Sequence, residues 1–396
     1  MNDFGQSLIA AAYAEGFAVA GALDIASVIH TQFPAHLAHY DQWLADGFGG
    51  EMSYLTRGRD RRADPRILMA GAQSVLCVAI PYPRGAAGAT DNGATGPRYA
   101  RYLQGPDYHE EIAERLKRAM QRVAEQCVER GESPPAFKIC VDSSAMLERS
   151  WAALAGLGWI GKNTLLIHPK LGSYLFLGEV LLDRNVDAGP IPMPDLCGHC
   201  TRCLEGCPTQ ALVAPHRLDS RRCISYLTLE KRGEITAAPE VQRAIGPWVA
   251  GCDICQEVCP FNLKTARAEA EVTVPSTSPP SSNATLLHHW EALLDETEQA
   301  YRQRIHHSAL SRIKPPQFRR NLALSLQALL TEPSTEAGMV LALRLHPRIT
   351  ALARQETDPL VRAIWVTWLR LADALNGHPN PISFERDTQA PMIRTP

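Results

Sequence analysis

No stretch of this 396-residue chain approaches the roughly 20 consecutive apolar residues of a membrane-spanning helix, so no membrane span is expected. The N-terminus also lacks what an export signal needs. MNDFGQSLIAAAYAEGF carries Asp3 in place of a basic patch and runs on as an amphipathic helical pattern. An excess of positive charge is missing too: the formal net charge is −2, which excludes a general coat for nucleic acid. It leaves room for a local basic groove. Arg57, Arg59, Arg61, Arg62 and Arg66 form one candidate stretch; Arg217, Arg221, Arg222, Lys231 and Arg232 form another, and each is also readable as a solvated face. Unpaired cysteines without an export signal point to the reducing cytoplasm and away from a disulfide framework.

Cysteine is concentrated in one place. Cys197, Cys200, Cys203 and Cys207 fall in the run C-x2-C-x2-C-x3-C-P. That spacing lets a short loop hold three corners of a 4Fe–4S cube and aim the fourth thiolate elsewhere. Cys252, Cys255 and Cys259, ahead of Pro260, spell a second run that is one cysteine short, and Cys223 stands between the two. In two-cluster ferredoxin wiring the last cysteine of each run serves the other cluster. Cys197, Cys200, Cys203 and Cys259 would then hold one 4Fe–4S cluster, and Cys207, Cys223, Cys252 and Cys255 the second. A zinc site would need four ligands and leave half of these unused. Cys77, Cys127 and Cys140 sit in apolar patterns, where a free cysteine acts as a small hydrophobe.

The length suggests two or three domains. Residues 1–190 read as α/β, with strands expected at 74–80, 137–141 and 173–182 and a long helix over 108–130. The Gly/Pro-rich stretch 81–96 reads as a loop able to cover a site. Residues 191–265 read as a small ferredoxin-like domain that folds around its clusters. Residues 266–285 read as a Pro/Ser/Thr linker, and 286–396 as all-α HEAT-like repeats. The repeat assignment rests on Phe318–Leu326 echoing Leu360–Trp368, which sets Arg320 on Arg362 and Leu322 on Ile364. Such repeats present a curved surface to partners; a helical cap over the cluster domain is the alternative.

Several long strings resemble epoxyqueuosine reductases: Val141-Asp-Ser-Ser, Leu147-Glu-Arg149, Ala155-Gly-Leu-Gly-Trp-Ile-Gly-Lys-Asn163, Gly172-Ser, Leu177-Gly-Glu179, Asp219-Ser-Arg-Arg-Cys-Ile-Ser-Tyr-Leu-Thr228 and Gly251-Cys-Asp-Ile-Cys-Gln256. The resemblance implies an α/β cobalamin-binding domain, two 4Fe–4S clusters and action on the wobble nucleoside epoxyqueuosine in tRNA. It also implies a cytoplasmic enzyme, expected as a monomer and fed by a reductase or flavodoxin-type electron donor. Two other classes stay open: a ferredoxin-type electron-transfer protein, and a reductive dehalogenase-like enzyme acting on a small molecule. The Asp-x-His-x-x-Gly signature of cobalamin proteins with a histidine lower ligand is absent, because Ile112 holds the glycine position after Asp107-Tyr-His109. His109 is expected to be an ordinary helix-face residue.

Asp142 is the candidate general acid. It ends an apolar strand, where α/β proteins place chemistry, and the resemblance supports it; a helix N-cap is the competing reading. As an acid near neutral pH it would need a pKa raised by desolvation. Gly161, Lys162, Asn163, Gly172 and Ser173 are the expected cobalamin contacts. Arg221, Arg222, Ser225 and Tyr226, beside a cluster ligand, suit phosphate contacts and stacking on an unstacked base. Arg320 and Arg362 are expected on the RNA-facing surface of the repeats.

Overall fold

The computed structural model describes residues 1–82, 96–265, 283–331 and 336–376. The expected linker at 266–285 and covering loop at 81–96 fall almost wholly outside these residues. Helix α1 (Asp3–Ala14) starts on Asn2, whose side chain accepts from Gly5 N–H at 2.9 Å. After it come β1 (Val19–Asp24), β2 (Ser74–Pro81), α2 (Tyr108–Glu129), β3 (Phe137–Cys140), α3 (Glu148–Leu154) and β4 (Leu175–Leu182). The strands form one sheet in the order β1-β2-β4-β3, and every neighbouring pair is antiparallel.

The antiparallel pairing corrects the α/β expectation: the domain is α+β. Strands buried on both faces read as continuous apolar runs, the usual mark of parallel sheets. Here helices cover both faces of an antiparallel sheet. Phe4, Leu8, Leu76, Val78, Ile112, Leu116, Val180 and Leu182 pack on the α1/α2 face. Leu23, Val75, Cys77, Cys140, Trp151, Leu154 and Leu181 pack on the α3 face.

The cysteine segment is built of short pieces, among them Arg202–Glu205, α4 (Ile224–Leu229), Trp248–Ala250 and Ile254–Glu257. The strand Trp248–Ala250 pairs parallel with Arg98–Tyr99, which ties the segment to the first domain. Beyond it lie α5 (Asn283–Leu294), α6 (Glu298–Arg304), α7 (Pro315–Thr331), α8 (Glu336–Gln355) and α9 (Pro359–Asn376). Asp358 opens α9, accepting from Leu360 N–H at 2.9 Å. Trp290, Leu322, Leu345 and Trp368 share one core with Leu229 and Val249 of the cysteine segment.

The polar face of α7 does not meet solvent. Gln317, Arg320, Asn321 and Ser325 recur at helical spacing and donate to backbone carbonyls of the cysteine segment. Asn321 reaches Thr228 and Val249 (2.7 and 2.9 Å), Gln317 reaches Thr228 and Leu229 (3.1 and 3.0 Å), and Ser325 reaches Trp248 (2.8 Å). Arg320 is 2% exposed and donates to the carbonyls of Leu227, Lys231 and Gly233 at 2.8, 2.9 and 2.6 Å. It cannot touch RNA phosphate, which corrects its expected role. Arg362 is exposed and holds the carbonyl of Glu356 at 2.8 Å.

Arg320→Met removes the only charge-assisted donors these three carbonyls receive from that side chain while keeping its apolar volume. A loss of about 2–4 kcal/mol is expected, since buried acceptors left unpaired cost about 1–3 kcal/mol each and partial rehydration offsets some of it. Denaturant unfolding checks this; an unchanged midpoint would contradict the gripping role.

Candidate active site and cluster segment

Asp142 follows β3 by two residues and sits beside the half-exposed start of β4. Its φ is +50°, in the left-handed region, and α3 begins only at Glu148 with Leu147 at its N-cap. The helix-cap reading therefore fails. The backbone N–H of Asp142 instead donates to Glu148 Oε1 at 2.5 Å. That bond helps hold a strained conformation that projects the carboxylate outward, with 49% of the side chain exposed.

The carboxylate meets His109. Asp142 Oδ2 lies 3.1 Å from His109 Nε2, and His109 Nδ1 lies 2.5 Å from Asp107 Oδ1. Asp107 also caps α2 by accepting from His109 N–H at 3.0 Å, so one residue starts the helix and orients the ring. Tyr108 stacks on the same ring at 4.0 Å and on Phe176 at 4.2 Å. Sequence reasoning left His109 as an ordinary helix residue; its partner lies 33 positions away, beyond any local pattern.

This geometry reverses the expected electrostatics of Asp142. The hydrogen bond from His109 outweighs burial and holds the Asp142 carboxyl below its usual range, with Arg312 and Arg149 adding positive charge. Burial works to lower the His109 pKa, but hydrogen bonds to Asp142 and Asp107 overcome it and raise the pKa. The resting proton thus belongs to His109. Arg312 comes from the C-terminal region, where it pairs with Glu230. Behind the pair, burial and the negative Asp142 push Glu148 up to about 7.

The thiols of the cysteine segment influence one another in two groups. Cys203 feels Cys197 and Cys259, and Cys259 feels Cys200. Cys252 feels Cys223 and Cys255, and Cys255 feels Cys223 and Cys207. Cys203 and Cys255 link the groups. Among the described residues no three His, Cys, Asp or Glu side chains close around one metal ion. A cube that takes one thiolate per iron needs them further apart than a single ion does. The Trp159 indole N–H reaches Cys197 Sγ at 3.5 Å, and Ala211 N–H reaches Cys207 Sγ at 3.3 Å.

The residues expected to contact cobalamin lie along the seam between the sheet domain and this segment. Lys162 Nζ donates to the carbonyls of Gly198 and Cys200 at 2.6 and 3.0 Å. Gly161 offers its carbonyl to His216 Nδ1 at 3.1 Å, and buried Asn163 accepts from Leu165 N–H at 3.3 Å. Gly172 has φ +73°, and a Cβ there would stand 2.0 Å from Asn262 Oδ1. Ser173 N–H donates to that same oxygen at 2.7 Å, and its hydroxyl donates to Gln256 Oε1 at 2.8 Å. The close approach that glycine permits is therefore made to Asn262. Buried Asn262 and Gln256 were missed because amides within cysteine motifs carry no signal of their own.

The expected RNA residues divide. Tyr226 is 6% exposed and its hydroxyl accepts from Glu51 N–H at 2.8 Å, so it cannot stack on a base; this corrects the expectation. Arg221 is exposed, paired with Asp219 at 2.8 Å and set over the Phe48 ring. Arg222 donates to the Thr209 carbonyl at 3.0 Å, and Ser225 is half-buried. Other members of the basic stretches also have acidic partners, Arg59 with Asp41 and Arg66 with Asp64 at 2.6 and 2.7 Å. No described helix is long and apolar enough to cross a membrane.

Comparison with known proteins agrees with this organisation. Residues 62–143 match the family model described as Epoxyqueuosine reductase QueG, DUF1730, and residues 196–262 match the 4Fe-4S double cluster binding domain. An epoxyqueuosine reductase of Synechococcus sp. (strain RCC307) is 38% identical over 81% of this chain and 93% of its own length. The Bacillus subtilis epoxyqueuosine reductase, solved with its catalytic aspartate loop swung out of the active site, is 25% identical. The match covers 92% of this chain and 98% of that one, with a TM-score of 0.67. An epoxyqueuosine reductase solved with an epoxyqueuosine-modified tRNA-Tyr stem loop is 24% identical over 93% of this chain and 98% of that one, with a TM-score of 0.66.

The Asp142–His109 pair has a defined pH window. It is complete above the lowered pKa of Asp142 and below the raised pKa of His109, and is lost on acidification through the first or alkalinisation through the second. NMR titration of His109 should therefore give a pKa above 6.5 that drops in Asp142→Asn. A value at or below 6.5 in the unmodified protein would refute the pairing.

Proposed function

The chain belongs to the epoxyqueuosine reductase family, and we propose that it reduces epoxyqueuosine to queuosine at the wobble position of tRNA with two 4Fe–4S clusters and cobalamin. The observation that carries this reading is the Asp142–His109 pair, a proton source held within the domain on which an eight-thiol segment is docked. The tRNA stem loop in a protein of the same fold supports the substrate class. The mobile aspartate loop of the Bacillus subtilis enzyme supports Asp142 as the acid.

Opening the epoxide to an alkene consumes two electrons and two protons and releases water. The paired thiol groups suit Cys197, Cys200, Cys203 and Cys259 for one cluster and Cys207, Cys223, Cys252 and Cys255 for the other. A one-electron donor protein, of the reductase or flavodoxin class, would charge them singly. Cobalamin supplies a centre able to deliver the electrons as a pair. The residues present fit it. Tyr108 and Phe176, stacked on one another and only partly buried on the face that carries His109, offer an apolar surface beside the acid. Both His109 nitrogens are engaged with carboxylates, so that ring has no free nitrogen to offer a metal. His109 orients and charges Asp142, which passes the proton to the leaving oxygen. Arg221 and Arg362, exposed on the cluster segment and the helical region, remain candidates for phosphate contact.

The family's site in a cytoplasmic monomer is the simplest setting for a bulky RNA substrate. The test uses anaerobic protein reconstituted with iron, sulfide and cobalamin, then incubated with reductant and a stem loop bearing epoxyqueuosine. Queuosine should appear in the nucleoside digest, and about eight irons should be bound per chain. Cys223→Ser should degrade only the cluster it shares with Cys207, Cys252 and Cys255. Unchanged iron content and an unchanged paramagnetic spectrum would overturn that ligand assignment.

A further inference from the structure

Glu179 interrupts an apolar stripe. Leu175, Leu177 and Leu181 of β4 all pack on the α3 face of the sheet, and Glu179 holds the third position of that alternation. It pairs across the sheet with Cys77 on β2 and Cys140 on β3, so its side chain rises between two thiols. The residue is 0% exposed, and neither carboxyl oxygen has a hydrogen-bond partner among the described residues. An isolated carboxylate in such a place costs far more than a neutral acid, so the group stays protonated. Helix α3 packs on β4 and starts at Glu148, whose Oε1 accepts from Asp142 N–H at 2.5 Å. Three acids therefore lead inward, from exposed Asp142 to half-buried Glu148 to fully buried Glu179.

The reduction needs two protons, and the Asp142–His109 pair holds one. We propose that Glu148, backed by the neutral Glu179, holds a proton behind that pair and supplies it as the second proton of the reaction. This rests on the reading of the chain as an epoxide reductase. As the first C–O bond breaks, the proton held by His109 passes through Asp142 to the oxygen, leaving a hydroxyl on the adjacent carbon. As the second C–O bond breaks, the Glu148 proton reaches that oxygen through Asp142 and it departs as water. The two electrons, delivered singly by an external one-electron donor protein through the clusters, end in the new C=C bond. Glu179 stays neutral throughout, and half-buried Glu148 regains its proton from solvent.

The charged and titratable groups around the pair agree with this. Burial, with the charges of Glu148 and Asp142, raises the Glu179 pKa well above its ordinary value. Burial likewise leads in raising Glu148 to about 7, against the opposing charges of Arg149 and His109. Burial also keeps the facing thiols of Cys77 and Cys140 neutral. Glu148 is thus protonated below about pH 7 and loses its proton above it.

Infrared spectra at neutral pH should show a carboxylic-acid C=O band that shifts in deuterium oxide and weakens in Glu179→Gln and in Glu148→Gln. With pre-reduced reconstituted enzyme and the epoxyqueuosine stem loop, single-turnover queuosine formation should fall above about pH 7. Glu148→Gln should slow the step by at least ~10-fold and leave only the alkaline limb set by His109, with cluster and cobalamin spectra unchanged. Absence of the band, or a wild-type rate and pH profile in both variants, would overturn the relay. Failure of the unmodified enzyme to form queuosine would instead overturn the functional reading, and the infrared result would still decide whether the store exists.

Discussion

The hydrogen bond between His109 Nε2 and Asp142 Oδ2 sets the chemistry of the site, because it decides which residue keeps the proton and where the carboxylate points. Its two ends come from different elements, the first turn of α2 and the strained turn after β3, so the sheet and its covering helix must be in place before the pair can form. Asp107 fixes the ring from behind, and Glu148 fixes the Asp142 backbone. An acid tied to an imidazolium in this way is ionised at rest. In the proposed reaction that proton passes through Asp142 to the leaving oxygen.

Under the proposed function electrons must reach the same place, and the seam offers a route. Asn262 and Gln256 lie within the cysteine segment and bind Ser173 at the edge of the sheet domain, while Lys162 holds the carbonyls of Gly198 and Cys200. Gln256 in turn approaches Tyr82, which packs on Phe176 and through it on Tyr108. A continuous packed row thus runs from Gln256 of the cysteine segment to His109 and Asp142. On the opposite side, α7 grips the segment through Arg320, Asn321 and Gln317, so the C-terminal helices act as a clamp on the cofactor region.

Legibility in the sequence followed the range of the interactions. Cysteine spacing is local, and the segment it marks is the one that matches a double-cluster domain. Strand and helix positions are also local: the strand expected at 74–80 is found at Ser74–Pro81, and the helix expected over 108–130 at Tyr108–Glu129. Strand direction was not legible, because burial on both faces erases the alternation that marks an antiparallel sheet. Arg320 and Tyr226 were misplaced for a related reason. A polar residue on an amphipathic helix reads as solvent-facing, yet Arg320 satisfies carbonyls some 90 residues away, and Tyr226 serves the backbone of Glu51. The Asp142–His109 pair and the buried Glu179 likewise depend on contacts that only the folded sheet creates. Glu179 did leave a trace, as the one charged residue in the apolar run of β4.

Asp142→Asn tests most directly whether Asp142 carries the proton that His109 holds. The variant keeps the shape of the side chain and an acceptor for His109 while removing the carboxyl that relays the proton. Single-turnover queuosine formation by pre-reduced enzyme should fall by roughly 10²–10⁴, the range for loss of a positioned general acid, with both clusters and cobalamin still bound. Near-wild-type turnover by that variant would contradict the claim.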